Sequence, residues 1–230
     1  MNAIILCGGL STRLGEITKE RPKILLDIKG RPVLDWQIDK LKEIGVAEVV
    51  LAAGHLSEAL QREVGESRLG VKIIYALEPE RLGTGGAIKF AWQFVVHPEE
   101  PVIILNGDIM SAIDLADMVK CLRFESEGII LGAKVDDASS YGTLDFSDGY
   151  RLKSFKEKEG LNKPGYINGG FYLFNARARK YFDAVTEMKF SVEYDVFPKM
   201  NDLDVYSSDR AWIDVGVPER LEWARNNWQE

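Results

Sequence analysis

Ala3-Ile4-Ile5-Leu6-Cys7 is a short apolar run that turns at once into Gly8-Gly9-Leu10-Ser11-Thr12-Arg13, and Lys23 follows soon after, behind Pro22. An apolar run closed by a glycine turn predicts a buried strand feeding a loop whose successive backbone N–H groups face an anion. Arg13 and Lys23 bring two cations to the same loop. The expected class is α/β, and the expected ligand of the loop is a nucleoside triphosphate.

Two common phosphate loops are excluded. A Walker loop needs GxxxxGK[ST], and the chain has none. A dinucleotide fingerprint needs GxGxxG, which fails here at Leu10.

Working outward, the chain alternates strand and helix patterns. Helices are expected at 33–45, with Leu34, Ile38 and Leu41 on one face, and at 56–65, 85–96 and 113–123. Strands are expected at 48–53, 71–75 and 102–105. After this the pattern changes to strands at 129–135, 141–146, 151–155 and 166–174, separated by polar turns. Helices at 176–186 and 191–199, a strand pair around 203–214, and a closing helix at 217–228 with Leu221, Ala224 and Trp228 inward complete the reading. The expected architecture is a single domain, 1–230, on a mostly parallel mixed, Rossmann-like sheet. A nucleotide-binding half, 1–125, continues into an acceptor-binding half, 126–230, on one continuous sheet. Ligands of such sheets sit at the C-terminal strand ends.

Composition sets the outer limits. At 230 residues with 46% hydrophobic content the chain can bury a large core. A net charge of −7 argues against nucleic-acid binding, so anionic ligands must meet a local cluster, which Arg13, Lys19, Arg21 and Lys23 supply. No apolar run reaches membrane-spanning length and the start lacks a signal-peptide pattern, so a cytoplasmic enzyme is expected. Cys7 and Cys121 are too few for a disulfide framework and are expected as small core residues. No Cys/His spacing suggests zinc, and neither His55 nor His97 is expected to act as a base. Trp36, Trp92, Trp223 and Trp228 are expected to pack rather than stack on ligands.

Further motifs fall where the strands end. Asn106-Gly107-Asp108 closes one apolar strand, and Trp212-Ile213-Asp214-Val215-Gly216 places a second carboxylate at another. Asp108 is well sited to hold the Mg²⁺ that accompanies a triphosphate; the plainer alternative is an Asx turn. Gly83-Thr84-Gly85-Gly86 enters a helix with side chains small enough for a flat base to approach the backbone. Phe155-Lys156-Glu157-Lys158, Tyr166-Ile167-Asn168-Gly169-Gly170 and Tyr141-Gly142 mark the second half.

Together these strings resemble the sugar-1-phosphate nucleotidyltransferases, whose fold is GT-A-like. GGLSTRL matches that family's GGxGTRL except at Ser11, and RPK its PKP except at Ile24. Serine tolerates positive φ poorly, so Ser11 argues against a left-handed backbone there. The resemblance implies that Asp108 and Asp214 jointly hold a catalytic Mg²⁺, and that Arg13 and Lys23 act in catalysis. It implies nucleotide binding by Leu6, Gly8, Gly9, Ser11, Thr12 and Arg13, by Gly83 and Thr84, and by Asn106 and Gly107. Tyr141, Gly142, Glu157, Lys158 and Asn168 match its sugar-phosphate positions. Within the family, GTGGA with INGG and IDVG is most similar to guanylyltransferases of D-glycero-α-D-manno-heptose 1-phosphate. Mannose-1-phosphate guanylyltransferases and uridylyltransferases are next.

The implied reaction transfers GMP from GTP to a sugar 1-phosphate, with pyrophosphate as leaving group, in a monomer or homodimer. Guanine recognition requires an acceptor near Gly83–Gly86, which the sequence does not name. A glycosyltransferase would normally carry Asp-x-Asp where Asn106-Gly107-Asp108 stands, and a non-catalytic sugar-nucleotide sensor predicts lost metal or phosphate ligands. Pyrophosphate release separates both from the transferase reading.

Overall fold

Ala3, Ile4 and Ile5 are fully buried in the middle of β1 (Asn2–Leu6), the strand about which the sheet is organised. The computed structural model describes residues 1–147, 150–156 and 162–229. With β2 (Glu48–Ala53), β3 (Val71–Leu77) and β4 (Val102–Asn106), β1 forms a parallel unit in the order β3-β2-β1-β4. Helices α1 (Val33–Glu43), α2 (Ser57–Val64) and α3 (Gly83–Ala91) lie between these strands in the chain.

Side chains along a strand alternate between faces, and the sheet uses both. Ile5, Leu51 and Leu105 share a core with Leu34, Ile38 and Leu41 of α1. Ile4, Val50 and Ile104 face the opposite core, with Ile88 and Ala91 of α3 and with Trp92. A strand covered on both faces must be apolar throughout, which is why β1 and β4 read as continuous hydrophobic runs.

After β4 come β5 (Ile109–Ser111), α4 (Leu115–Lys120), β6 (Gly128–Val135), β7 (Thr143–Phe146), β8 (Leu152–Lys156), β9 (Gly165–Phe174), α5 (Arg179–Asp183), β10 (Leu203–Ser208), β11 (Trp212–Asp214) and α6 (Pro218–Asn227). Antiparallel pairing of β9 with β4, from Phe171↔Leu105 to Phe174↔Val102, makes one mixed sheet. On the other edge of β9 lie β6 and, parallel to it, β10, while the β7–β8 hairpin flanks the start of β9. The β9–β6 register shifts between Asn168 and Tyr172, a bulge that re-aims Asn168 near the cleft described below.

Two features place the site. First, chain connections diverge on either side of β1, toward β2 on one side and β4 on the other, so a crevice opens at their C-terminal ends. Second, β5 and β11 pair antiparallel as a small separate sheet, Asp214 opposite Ile109. α6 seals this sheet with Leu221, Ala224 and Trp228, packed on Leu14, Leu26, Met110, Ile213 and Val215.

Several expectations are corrected. The two strands of 203–214 do not pair with each other: β10 joins β6 and β11 joins β5. The helix at 113–123 contracts to α4, because Asp114 caps it by accepting from the Asp117 N–H at 2.8 Å. At 191–199 there is a single π-helical turn, Val192–Val196, and then a 3₁₀ turn. Cys121 is exposed, whereas Cys7, partly buried, packs against the core on the α1 side as expected. Trp223 is half exposed, because it lies on α6 away from the inward face of Leu221 and Ala224. The strands Ile109–Ser111, Asp27–Ile28, Arg31–Pro32 and Ser67–Arg68 are too short for periodicity to reveal.

Trp92 is the largest fully buried side chain, its ring 6.4 Å from Phe174 and 5.5 Å from Phe182, centroid to centroid. Trp92→Ala is expected to destabilise the fold by about 3–5 kcal/mol in urea titration, the transfer term plus a cavity that a close-packed core cannot refill. A loss below about 1 kcal/mol would contradict this packing.

Candidate active site

Two adjoining clefts open where β1 and β4 end. The first, about 440 Å³, is lined by the 6–13 loop, Lys23 and Ile24, the Glu78–Thr84 approach to α3, and the Asn106–Asp108 turn. All the residues expected to bind nucleotide line it: Leu6, Gly8, Gly9, Ser11, Thr12, Arg13, Gly83, Thr84, Asn106 and Gly107. The second, about 640 Å³, is lined by Tyr141, Gly142, Asn168, Asp214 and Arg220, among others. Arg13, Asn106 and Asp108 line both clefts and so form their common wall. Glu157 and Lys158 lie outside the described residues.

Backbone geometry explains the first cleft. Ser11 is left-handed after all, at φ 52° and ψ 31°, and the Leu14 N–H reaches its carbonyl at 2.9 Å. The turn into Arg13 requires that conformation, and serine bears the local strain, about 1–2 kcal/mol, because the surrounding loop fixes it. Gly83 stands at φ 73°, and a Cβ there would lie 2.5 Å from the Phe190 carbonyl, so this entry to α3 admits glycine alone. The Gly85 N–H donates to the same carbonyl at 3.0 Å.

The acidic pair is built by strand pairing. Val215 N–H donates to the Asp108 carbonyl at 2.9 Å, continuing the β5–β11 ladder and setting the two carboxylates side by side. Gln37, a buried residue of α1, donates to the carbonyls of Asn106 and Ile109, both at 2.9 Å, and so fixes the turn carrying Asp108. Lys23 Nζ contacts Asp108 Oδ2 and lies 3.8 Å from Asp214 Oδ1. Asp214 Oδ1 accepts from Gly216 N–H at 2.6 Å, and Asp214 Oδ2 meets Arg220 Nη2 at 3.1 Å. A Cβ at Gly216 would lie 2.6 Å from Lys23 Nζ and 3.2 Å from Arg13 Nη2, so the glycine leaves room for the two cations to converge.

Electrostatics follow from this crowding. Burial, and then the charge of Asp108, push the Asp214 carboxyl above its usual range, with Lys23 and Arg13 pulling the other way. Two carboxylates side by side are hard oxygen donors of the kind that divalent hard metal ions take, and in this structure Lys23 lies against both. The Cys7 thiol, which donates to the Ala52 carbonyl at 3.1 Å, is pushed up by burial and by Glu78. It stays protonated and is no nucleophile. Neither histidine lines either cleft.

The sequence reading missed four charged residues of these clefts, Glu78 and Arg81 in the first and Glu193 and Arg220 in the second. Glu78, at the end of the β3 connection, lines the first cleft, and burial raises its carboxyl. Its only sequence signal was its position just before the Gly83–Gly86 segment. Arg220, in the first turn of α6, lines the second, where a charged residue after Pro218 reads simply as solvated helix surface.

A model of the family described as nucleotidyl transferase matches residues 2–230. The chain belongs to the nucleotidyl transferase family. Among its relatives within that family, a D-glycero-alpha-D-manno-heptose 1-phosphate guanylyltransferase of Campylobacter jejuni is 38% identical over 95% of this chain and 96% of its own. A mannose-1-phosphate guanyltransferase beta-B of Xenopus laevis is 33% identical over 95% of this chain, which spans 62% of that longer protein. In three dimensions the nucleotidyl transferase resembles HddC from Yersinia pseudotuberculosis complexed with GMP-PN, with a TM-score of 0.84, 31% identity and 98% of both chains covered. The mixed, mostly parallel α/β architecture expected from the sequence is thus the fold of the family. Among the described residues, no helix is long and apolar enough to cross a membrane.

Proposed function

We propose that this nucleotidyl transferase moves GMP from GTP to D-glycero-α-D-manno-heptose 1-phosphate, giving GDP-heptose and pyrophosphate. The observation that carries the reading is the pair of clefts meeting at Arg13, Asn106 and Asp108. A reaction between two anionic substrates needs two pockets that share a charged wall. The full-length relative named for the heptose compound supports that acceptor.

In this reading the triphosphate lies along the Gly8–Arg13 loop, with guanine toward Glu78 and Gly83. Guanine presents N1–H and N2–H donors, and the Glu78 carboxylate is the acceptor for that edge. The sugar phosphate enters the second cleft, and Tyr141, Gly142 and Asn168 face the sugar, with Glu157 and Lys158 as further partners. The phosphate oxygen is already an anion, so no general base is needed. It attacks the α-phosphorus in line, the bond to the β-phosphate breaks, and pyrophosphate carries the electron pair away. Positioning and charge neutralisation therefore supply the catalysis. Arg13 neutralises the triphosphate and leaving group, and Lys23 holds oxygens on the attacking side. Asp108 and Asp214 would hold Mg²⁺, which when bound neutralises the α-phosphate and leaving group.

The test is a grid of four nucleoside triphosphates against heptose, mannose and glucose 1-phosphates, read by pyrophosphate release. GTP with the heptose compound is expected to give the highest kcat/KM, with mannose 1-phosphate slower. UTP with glucose 1-phosphate as the best pair would keep the reaction class and overturn the substrates.

A further inference from the structure

The described charged lining of the second cleft is Arg13, Asp108, Glu193, Asp214 and Arg220, three carboxylates against two guanidiniums. A phosphate monoester entering there carries up to two negative charges and must find cations of its own. Arg13 also lines the first cleft. Among the described residues, Arg220 is the cation that lines the second cleft and not the first.

We propose that Arg220 binds the phosphate of the incoming sugar 1-phosphate. The inference rests on the reading of the second cleft as the acceptor's.

Arg220 is held as a preorganised anion site is held. Its guanidinium carbon lies 5.3 Å from the centroid of the Tyr141 ring, and it donates to the Tyr141 hydroxyl. Tyr141 in turn packs edge-on against Trp212, centroids 5.3 Å apart, and Trp212 Nε1 donates to the Gly169 carbonyl at 2.9 Å. The platform is therefore tied back to the β9 bulge. Of the five N–H donors of a guanidinium, those accounted for go to Tyr141 and to Asp214 Oδ2 at 3.1 Å, and Nε is buried without a partner. A quarter of the side chain remains exposed in the cleft. The Nη1 and Nη2 hydrogens that these two contacts leave over suit a phosphate, which accepts two N–H groups at once and which the carboxylates of the same cleft would otherwise repel. Its place in the first turn of α6 adds the positive end of the helix dipole.

The competing role is mechanical, with Arg220 only orienting Asp214. The two roles separate in Arg220→Gln and Arg220→Lys. If Arg220 binds the phosphate, R220Q raises KM for heptose 1-phosphate about tenfold to a hundredfold, the contribution of one charge-assisted hydrogen bond. KM for GTP and the half-saturating Mg²⁺ concentration stay within about twofold, and R220K, which keeps the charge but loses the fork, falls between. Calorimetric titration of heptose 1-phosphate in EDTA, without GTP, shows the same order of affinities. Unchanged sugar-phosphate KM and affinity, whether or not the Mg²⁺ requirement rises, overturn the proposal. Absence of pyrophosphate release by the unaltered protein with every sugar 1-phosphate would instead refute the function on which it rests.

Discussion

Asp214→Ala and Asp108→Ala are each expected to lower turnover by about a thousandfold or more at saturating Mg²⁺, with the thermal melt retained. A divalent ion stabilises developing phosphoryl charge by several kcal/mol, and each factor of ten costs about 1.4 kcal/mol. Both carboxylates are needed because neither alone supplies the paired donor set. The fold tolerates the change, since β5–β11 pairing and the Val215 N–H to Asp108 carbonyl bond are made by backbone. The pH profile gives an independent reading. Burial and Asp108 raise the Asp214 carboxyl in the metal-free site, so Mg²⁺ binding, which needs it ionised, weakens on acidification from a higher pH than an ordinary aspartate would give. Near-normal turnover in either variant removes that residue from the metal site.

The fold was legible wherever burial on two faces imposed a continuous apolar run, as in β1 and β4, or on one stripe, as in Leu34, Ile38 and Leu41 of α1. It was less legible where pairing is non-local. Nothing in the local pattern of 203–214 says that its two strands part, one to β6 and one to β5, because that choice is made by residues 75 positions away for the first and 101–105 for the second. Yet this separation is what brings Asp214 beside Asp108. The loop at 8–13 was legible as a composition of glycines and cations, while its backbone conformation was not. Serine's usual preference was overridden at position 11 by the turn that delivers Arg13. Arg220 and Glu78 escaped for a common reason. Each stands among other charged residues with no spacing motif to single it out, and its meaning comes only from what the fold sets opposite it.

Glu78→Gln is expected to narrow the preference for GTP over UTP by about two orders of magnitude, mainly through KM for GTP. A site built for guanine leaves polar groups unpaired when uracil enters, and such sites discriminate by factors of about 10⁴. The Glu78 carboxylate can accept from both N1–H and N2–H, whereas the glutamine amide offers one acceptor oxygen and turns a donor toward the other position. The substitution is gentle on the loop. Glu78 Oε2 accepts from the Leu82 N–H at 3.3 Å, a bond that the amide oxygen can replace. With GTP saturating, kcat should change only a few-fold, because the base lies far from the bonds that form and break. Burial raises the Glu78 carboxyl, so acidification protonates it from a higher pH than an exposed glutamate. The GTP KM therefore climbs as pH falls while the UTP KM does not, and E78Q abolishes that difference. A GTP/UTP ratio unchanged in both E78Q and E78A would move the reading of the base elsewhere in the cleft, to the backbone of Gly83–Gly86.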